Sequence, residues 1–229
     1  MAATATSTTS CAASVTSRAV LFDLDGTLAD TAPDLAAAVN RMRAEQGHEP
    51  LPIERLRPFA SAGARGLVHA AFGIKPDDAE YPALREAFLE FYGEKVCERT
   101  RLFAGMAELL RELKLRGLRW GIVTNKATRF TERIISKLGL KPDCVVCGDT
   151  TPHLKPHPAP LLHAAKELGL APQSCFYLGD DLRDMQAARA AGMQPVAVEW
   201  GYHHPENGGP GTWQATAVIA HPLDLVRHL

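Results

Sequence analysis

The sequence contains no apolar run approaching the ~20 residues needed to cross a bilayer, so nothing in it reads as a membrane anchor. It has no surplus of either charge. With 25 Lys and Arg against 26 Asp and Glu, a formal net charge of −1 and no basic stripe, an extended nucleic-acid contact is not expected. Residues 1–18 lack the charged start and apolar block of a secretory leader, and their single Arg18 does not make an Arg-rich transit helix. The expected location is the cytoplasm. Five cysteines in such a chain fit reduced thiols better than a disulfide framework. Cys144-Val145-Val146-Cys147 has C-x-x-C spacing, but its two valines favour a strand that turns the cysteines to opposite faces. No second pair is arranged to complete a zinc site. Internal repeats are also lacking.

What is present is enough apolar material, 46% of 229 residues, for a buried core. Residues 1–18, mostly Ala, Thr and Ser, bury too little to order themselves and are expected to form a disordered tail. From Val20 the chain alternates strand-like and helix-like stretches. Strands are expected at 20–22, 118–124, 143–147, 174–178 and 195–199, with helices between them at 109–115, 128–138, 158–168 and 181–191. Thr31 or Asp30 is placed to cap a further helix that runs to Gly47. That alternation predicts an α/β fold, a parallel sheet with helices on both faces and functional loops at the carboxyl ends of the strands. Residues 34–99 break the pattern. They show helical spacing at 53–59, 63–72 and 81–96 and no strand, which predicts an inserted all-α module between two parts of a core at 19–33 and 100–229.

The chemistry concentrates where β-rich runs end. Val20-Leu21-Phe22-Asp23-Leu24-Asp25-Gly26-Thr27-Leu28 delivers two carboxylates to the rim of a strand. Side chains alternate along extended backbone, so Asp23 and Asp25 leave it on one side, and like charges this close call for a cation between them. A hard divalent ion such as magnesium is the usual solution. Thr124-Asn125-Lys126 ends a second run, Lys155-Pro156 follows a third, and Gly179-Asp180-Asp181-x-x-Asp184 closes a fourth.

These four motifs, in this order, resemble those of the haloacid dehalogenase superfamily over residues 19–229. The resemblance implies a Rossmannoid core with a small helical (C1-type) cap that closes over the carboxylates, hinged near residues 32–34 and 100–102. It implies Asp23 as nucleophile, forming an aspartyl-phosphate, and Asp25 as acid and base for the leaving alkoxide and the hydrolytic water. Thr124 and the backbone of Asn125 would hold phosphoryl oxygens, and Lys155 would add positive charge. Magnesium would sit on Asp23, the main-chain carbonyl of Asp25 and Asp180. Asp181 and Asp184 would hold its waters or orient Lys155, with Asp184 the weakest assignment. A carboxylate at position 25 suits an alkoxide leaving group, because a halide needs no proton; the implied substrates are therefore phosphate esters.

Within that superfamily the chain is similar to the phosphoglycolate phosphatase group, in the branch that includes N-acetylmuramic acid 6-phosphate phosphatases. Ser61-Ala62-Gly63-Ala64-Arg65-Gly66, Leu102-Phe103-x-Gly105-Met106 and Gly201-Tyr202-x-His204-Pro205 carry that similarity. Both substrates bear a carboxylate, which Arg65 can grip with two hydrogen bonds. The leading expectation is 2-phosphoglycolate, with the muramic acid ester as alternative. A small phosphate ester is the expected partner, with no nucleic acid and no membrane, acting on a monomer or homodimer. Arg129 and Arg183 are expected on helix surfaces. His153, His157 and His163 are expected near Lys155 as solvating groups, and residues 201–211 as a mobile loop. The rival from another class is a phosphate-binding scaffold on the same fold, which would have eroded Asp23, Asp25, Lys155 or Asp180. None of the four is missing.

Overall fold

The computed structural model describes residues 18–229. The expected tail therefore lies outside the described residues except for Arg18, which donates to the Leu229 carbonyl at 2.9 Å. Six parallel strands form one sheet in the order β5-β4-β1-β6-β7-β8. They are β1 (Ala19–Phe22), β4 (Arg119–Val123), β5 (Cys144–Val146), β6 (Cys175–Gly179), β7 (Gln194–Val198) and β8 (Ala217–Ile219). β1 runs between β4 and β6, with Val20 opposite Trp120 on one side and Phe176 on the other.

β1 is buried at every residue, and its side chains divide between two cores. Val20 and Phe22 pack with α5 (Met106–Leu115) and α6 (Thr128–Lys137), while Ala19 and Leu21 pack with α7 (Ala159–Glu167) and α8 (Leu182–Ala191). Alternation along the strand thus puts helices on both faces of the sheet, as expected. β8 was not foreseen. It pairs with β7 through Ala217 to Ile219 and extends the sheet to six strands.

Between β1 and β4 the described chain is helical apart from a short ribbon, β2 (Ala29–Asp30) paired antiparallel with β3 (Arg101–Leu102). The helices are α1 (Ala32–Glu45), α2 (Ile53–Leu56), α3 (Gly63–Phe72) and α4 (Tyr81–Glu94), with a 3-10 segment at Arg57–Ala62. Their apolar faces join the same core as α5 and α6, with Leu35, Val39, Leu56, Leu67 and Phe88 buried. The two ends of the insert are clasped together. Asp34, 5% exposed, accepts from the Arg99 and Thr100 amides, both at 2.9 Å, and from the Thr100 hydroxyl at 2.6 Å. No described helix is long and apolar enough to cross a membrane.

Candidate active site

The carboxyl ends of β1, β4 and β6 lie side by side, and with the loop after β5 they bring all four motifs together. The backbone keeps them in step: the Asp23 amide donates to the Leu178 carbonyl and the Thr124 amide to the Val146 carbonyl, both at 2.9 Å. Three carboxylates, Asp23, Asp180 and Asp184, present oxygens within 4.8 Å of one another. All are buried, with Asp180 fully so. Lys155 binds two of them, reaching Asp23 Oδ1 at 2.9 Å and Asp184 Oδ1 at 2.8 Å, and its Nζ also donates to the Tyr177 hydroxyl at 2.7 Å.

Three carboxylates against one lysine leave a charge imbalance, which adds to the effect of burial on them. Burial first, then Asp23 and Asp184, push Asp180 up to about 8. Burial likewise raises Asp184 to about 6, against the pull of Lys155. Burial alone would lower the Lys155 ammonium, but Asp184 and Asp23 outweigh it and hold it above its ordinary value. An all-oxygen, strongly anionic donor set fits a hard divalent cation, which would offset the repulsion from Asp23 and Asp184 that adds to the burial of Asp180. The surroundings are shaped to keep Asp180 in place. Its oxygens accept from the Thr27 hydroxyl at 2.9 Å, the Ser61 hydroxyl at 2.8 Å and the Tyr202 amide at 3.0 Å. Gly26 turns at φ +87°, and a Cβ there would lie 2.2 Å from an Asp180 oxygen; one on Gly201 would lie 2.1 Å from the Asp180 Cβ. Neither position has room for a side chain.

Asp25 stands apart from this cluster. Its carboxylate accepts from Lys126 Nζ at 2.9 and 3.2 Å and from the Thr31 hydroxyl. Thr31 therefore does not cap α1 with its side chain; its hydroxyl is committed to Asp25.

Several other residues act differently from expectation. Asp181 does not face the carboxylate cluster. It caps α8, accepting from the Arg183 amide at 2.9 Å while Asp184 accepts from the Asp181 amide at 3.1 Å. Asp184, the weakest assignment, lies within the cluster and makes the contact to Lys155 that was expected of it. The Asn125 side chain clamps the backbone of Lys155 from both directions, at 3.0 and 2.9 Å. Arg183 is not a surface group. It lines the cleft, pairs with Asp181 and reaches the Ser61 carbonyl of the insert at 3.0 Å.

Arg65 and Arg129 are exposed at the rim of the cleft, joined there by Arg85. The histidines are dispersed. His153 and His157 stack on each other at 4.1 Å, His163 pairs with Glu167, and His203 hydrogen-bonds the Val198 carbonyl. The segment at 201–211 is tied to the site through Tyr202. Its hydroxyl accepts from the Thr31 and Ala32 amides and donates to Asp30. Sequence reasoning assigned no role to Lys126, Tyr202, Ser61 or Tyr177. Lys126 was visible as the third residue of its motif, but nothing in the spacing showed that it faces Asp25.

The cleft above these groups has a volume of about 450 Å³, with Leu35, Phe88, Leu89 and Phe130 among its apolar walls and Lys126, Lys155 and Arg183 among its cations. A parallel α/β sheet with a charged, buried cluster at its carboxyl rim and a cleft above it has the layout of a Rossmannoid-fold enzyme. The sequence profile of the haloacid dehalogenase-like hydrolases matches residues 20–198. An N-acetylmuramic acid 6-phosphate phosphatase from Pseudomonas aeruginosa is 44% identical over 211 residues, covering 91% of this chain and 93% of that one. A phosphoglycolate phosphatase from Xanthomonas campestris is also 44% identical, over 210 residues, covering 91% and 94%. Among solved structures, a predicted phosphoglycolate phosphatase from Haemophilus somnus superposes with a TM-score of 0.80 at 26% identity, covering 94% and 99%. The chain belongs to the haloacid dehalogenase-like hydrolase family, as one of its phosphatases.

Proposed function

We propose that this protein is a cytoplasmic, magnesium-dependent phosphomonoester hydrolase that works through an aspartyl-phosphate on Asp23. The observation that carries the reading is the buried convergence of Asp23, Lys155, Asp180 and Asp184 on one point. Asp23, Asp180, Asp184 and the main-chain carbonyl of Asp25 would hold the cation, which supplies charge neutralisation for the phosphoryl oxygens when bound. Asp23 attacks phosphorus, the new oxygen–phosphorus bond forms as the ester bond breaks, and Asp25 gives its proton to the departing alkoxide. Water then cleaves the acyl phosphate, returning a proton to Asp25. Lys155 and the Thr124 hydroxyl offset the charge on the transferred group without having to move. The insert acts as a cap that excludes water while this happens.

For the substrate we favour a carboxylate-bearing ester of the size of N-acetylmuramic acid 6-phosphate over 2-phosphoglycolate, reversing the order expected from sequence. What supports this is the cleft: about 450 Å³, with aromatic and aliphatic walls and arginines at its rim. A two-carbon acid would leave those walls wet, whereas a sugar carrying an acetyl group and a lactyl carboxylate has apolar surface to set against them. Phosphate release from both esters and from common sugar phosphates, by wild type and Asp23→Asn with magnesium, tests the proposal. The muramic acid ester is expected to give the highest kcat/KM, with turnover lost in Asp23→Asn. Higher kcat/KM on 2-phosphoglycolate would restore the smaller substrate, and equal rates for the two proteins would remove the mechanism.

A further inference from the structure

Asp180 is fully buried, and the three donors that hold its oxygens come from three different parts of the chain. Thr27, on Oδ1 at 2.9 Å, belongs to the turn after β1, and the Tyr202 amide, on Oδ2 at 3.0 Å, belongs to the segment after β7. Both are part of the sheet's own rim. The third donor is the Ser61 hydroxyl, 2.8 Å from Oδ2, and it comes from the insert, 119 positions away along the chain. Among the described residues it makes the one hydrogen bond from the insert to Asp23, Asp180 or Asp184.

The core also fixes the Ser61 backbone. Arg183 donates through Nη2 to the Ser61 carbonyl at 3.0 Å, and it is itself forked onto Asp181, Nε to Oδ1 at 2.9 Å and Nη2 to Oδ2 at 3.0 Å. The Asn207 side-chain amide adds a donor to Asp181 Oδ2 at 3.2 Å. Neither Asp181 nor Arg183 has a part in the mechanism above. Their polar chain leaves the core at Asp181, passes through the insert at Ser61 and returns to Asp180, the neighbouring residue. Behind it, a Cβ on Gly66 would lie 2.5 Å from the Phe59 carbonyl oxygen, so the segment that bears Ser61 is packed hard against α3.

We propose that Ser61 is a positioning residue for the cation site: its hydroxyl completes the hold on Asp180, and Arg183 with Asp181 keeps that hydroxyl in reach. This rests on the magnesium-dependent reading above. A carboxylate holds a cation well only when its plane is aimed at the ion, and donors on its oxygens set that plane. With Ser61 in place Oδ2 is gripped from two sides; without it the Tyr202 amide alone remains there. The insert thereby has a task that involves no contact with substrate. By linkage, a group that helps Asp180 hold a cation is itself held more firmly when the cation is present, by the same factor. The seat of the insert and the loading of the metal are coupled.

The test is a magnesium titration of the full chain without ester, read as the rise in Tm, for wild type, Ser61→Ala and Ser61→Thr. Ser61→Ala is expected to weaken the magnesium Kd by about tenfold, as loss of a hydrogen bond that orients a metal ligand does. Ser61→Thr keeps the hydroxyl and should stay close to wild type. Hydrogen exchange supplies a second readout: magnesium should slow exchange at the amides of Arg57–Ala62 in wild type and not in Ser61→Ala. An unchanged Kd in Ser61→Ala, a Kd in Ser61→Thr as weak as that of Ser61→Ala, or equal magnesium-dependent protection in wild type and Ser61→Ala would overturn the proposal. If magnesium leaves the wild-type Tm unmoved, the magnesium reading falls and this inference with it. If magnesium stabilises wild type and Ser61→Ala with the same Kd, this inference alone falls.

Discussion

Asp23, Lys155, Asp180 and Asp184 stand at the rim of a rigid sheet and are buried, whereas Arg65, Arg85 and Arg129 reach toward the same cleft from exposed positions at its margin. On the floor each charged group has a counter-charge or several donors within hydrogen-bond distance. At the margin Arg65 has no hydrogen-bond or ion-pair partner among the described residues. Electrostatics explain the contrast. A buried charge has to be paired to exist at all, while an exposed one is solvated and free to wait for an anion. In the proposed mechanism the floor would carry out the reaction and the margin would select what undergoes it.

Changes on the floor should cost most. Asp23→Asn is expected to lower kcat by about 10³-fold or more on every ester, measured by phosphate release. A loss confined to some substrates would make Asp23 a selector rather than a reacting group. Asp184→Ala leaves Lys155 buried with Asp23 alone and is expected to destabilise the fold by about 3 kcal/mol in urea titrations. Unchanged stability would mean that the lysine finds another partner. Magnesium should act on the same floor. At about 100 times its Kd it is expected to add roughly 2.7 kcal/mol to wild-type stability, seen as a rise in Tm, and much less to Asp180→Asn. Equal stabilisation of both would place the ion elsewhere.

The margin should answer more weakly. Arg65→Ala is expected to lower kcat/KM for carboxylate esters by about threefold, with little effect on neutral sugar phosphates, in keeping with an exposed charge. A uniform effect would show that Arg65 shapes the loop rather than reading the substrate. The smallest effect belongs to the cysteines, which lie apart from floor and margin alike. Burial pushes the Cys144 thiol up to about 12, and Cys147 is also raised. With both thiols raised by burial and so protonated at pH 7, iodoacetamide at that pH should not label them in the folded chain, and Cys144→Ser with Cys147→Ser should leave kcat unchanged.

The strands that carry the floor were legible because each is an apolar run ending in a polar motif, and the sheet then leaves those ends one place to go. β8 was not, since three residues between Thr216 and Ala220 show no period and are strand only through their pairing with β7. The ribbon of β2 and β3 is shorter still. The resemblance misplaced Asp181, and a local rule misplaced Thr31. Asp181, expected in the metal's surroundings, does the capping its position at a strand–helix junction suggested, while Thr31, expected to cap, hydrogen-bonds Asp25.

The most direct measurement is to stop the enzyme during turnover with acid, reduce with borohydride and sequence the peptides by mass spectrometry. A phosphorylated carboxylate is converted to the alcohol, so residue 23 should appear as homoserine, only when ester and magnesium are both present. Turnover without modification of Asp23, or with modification at another carboxylate, would contradict the account.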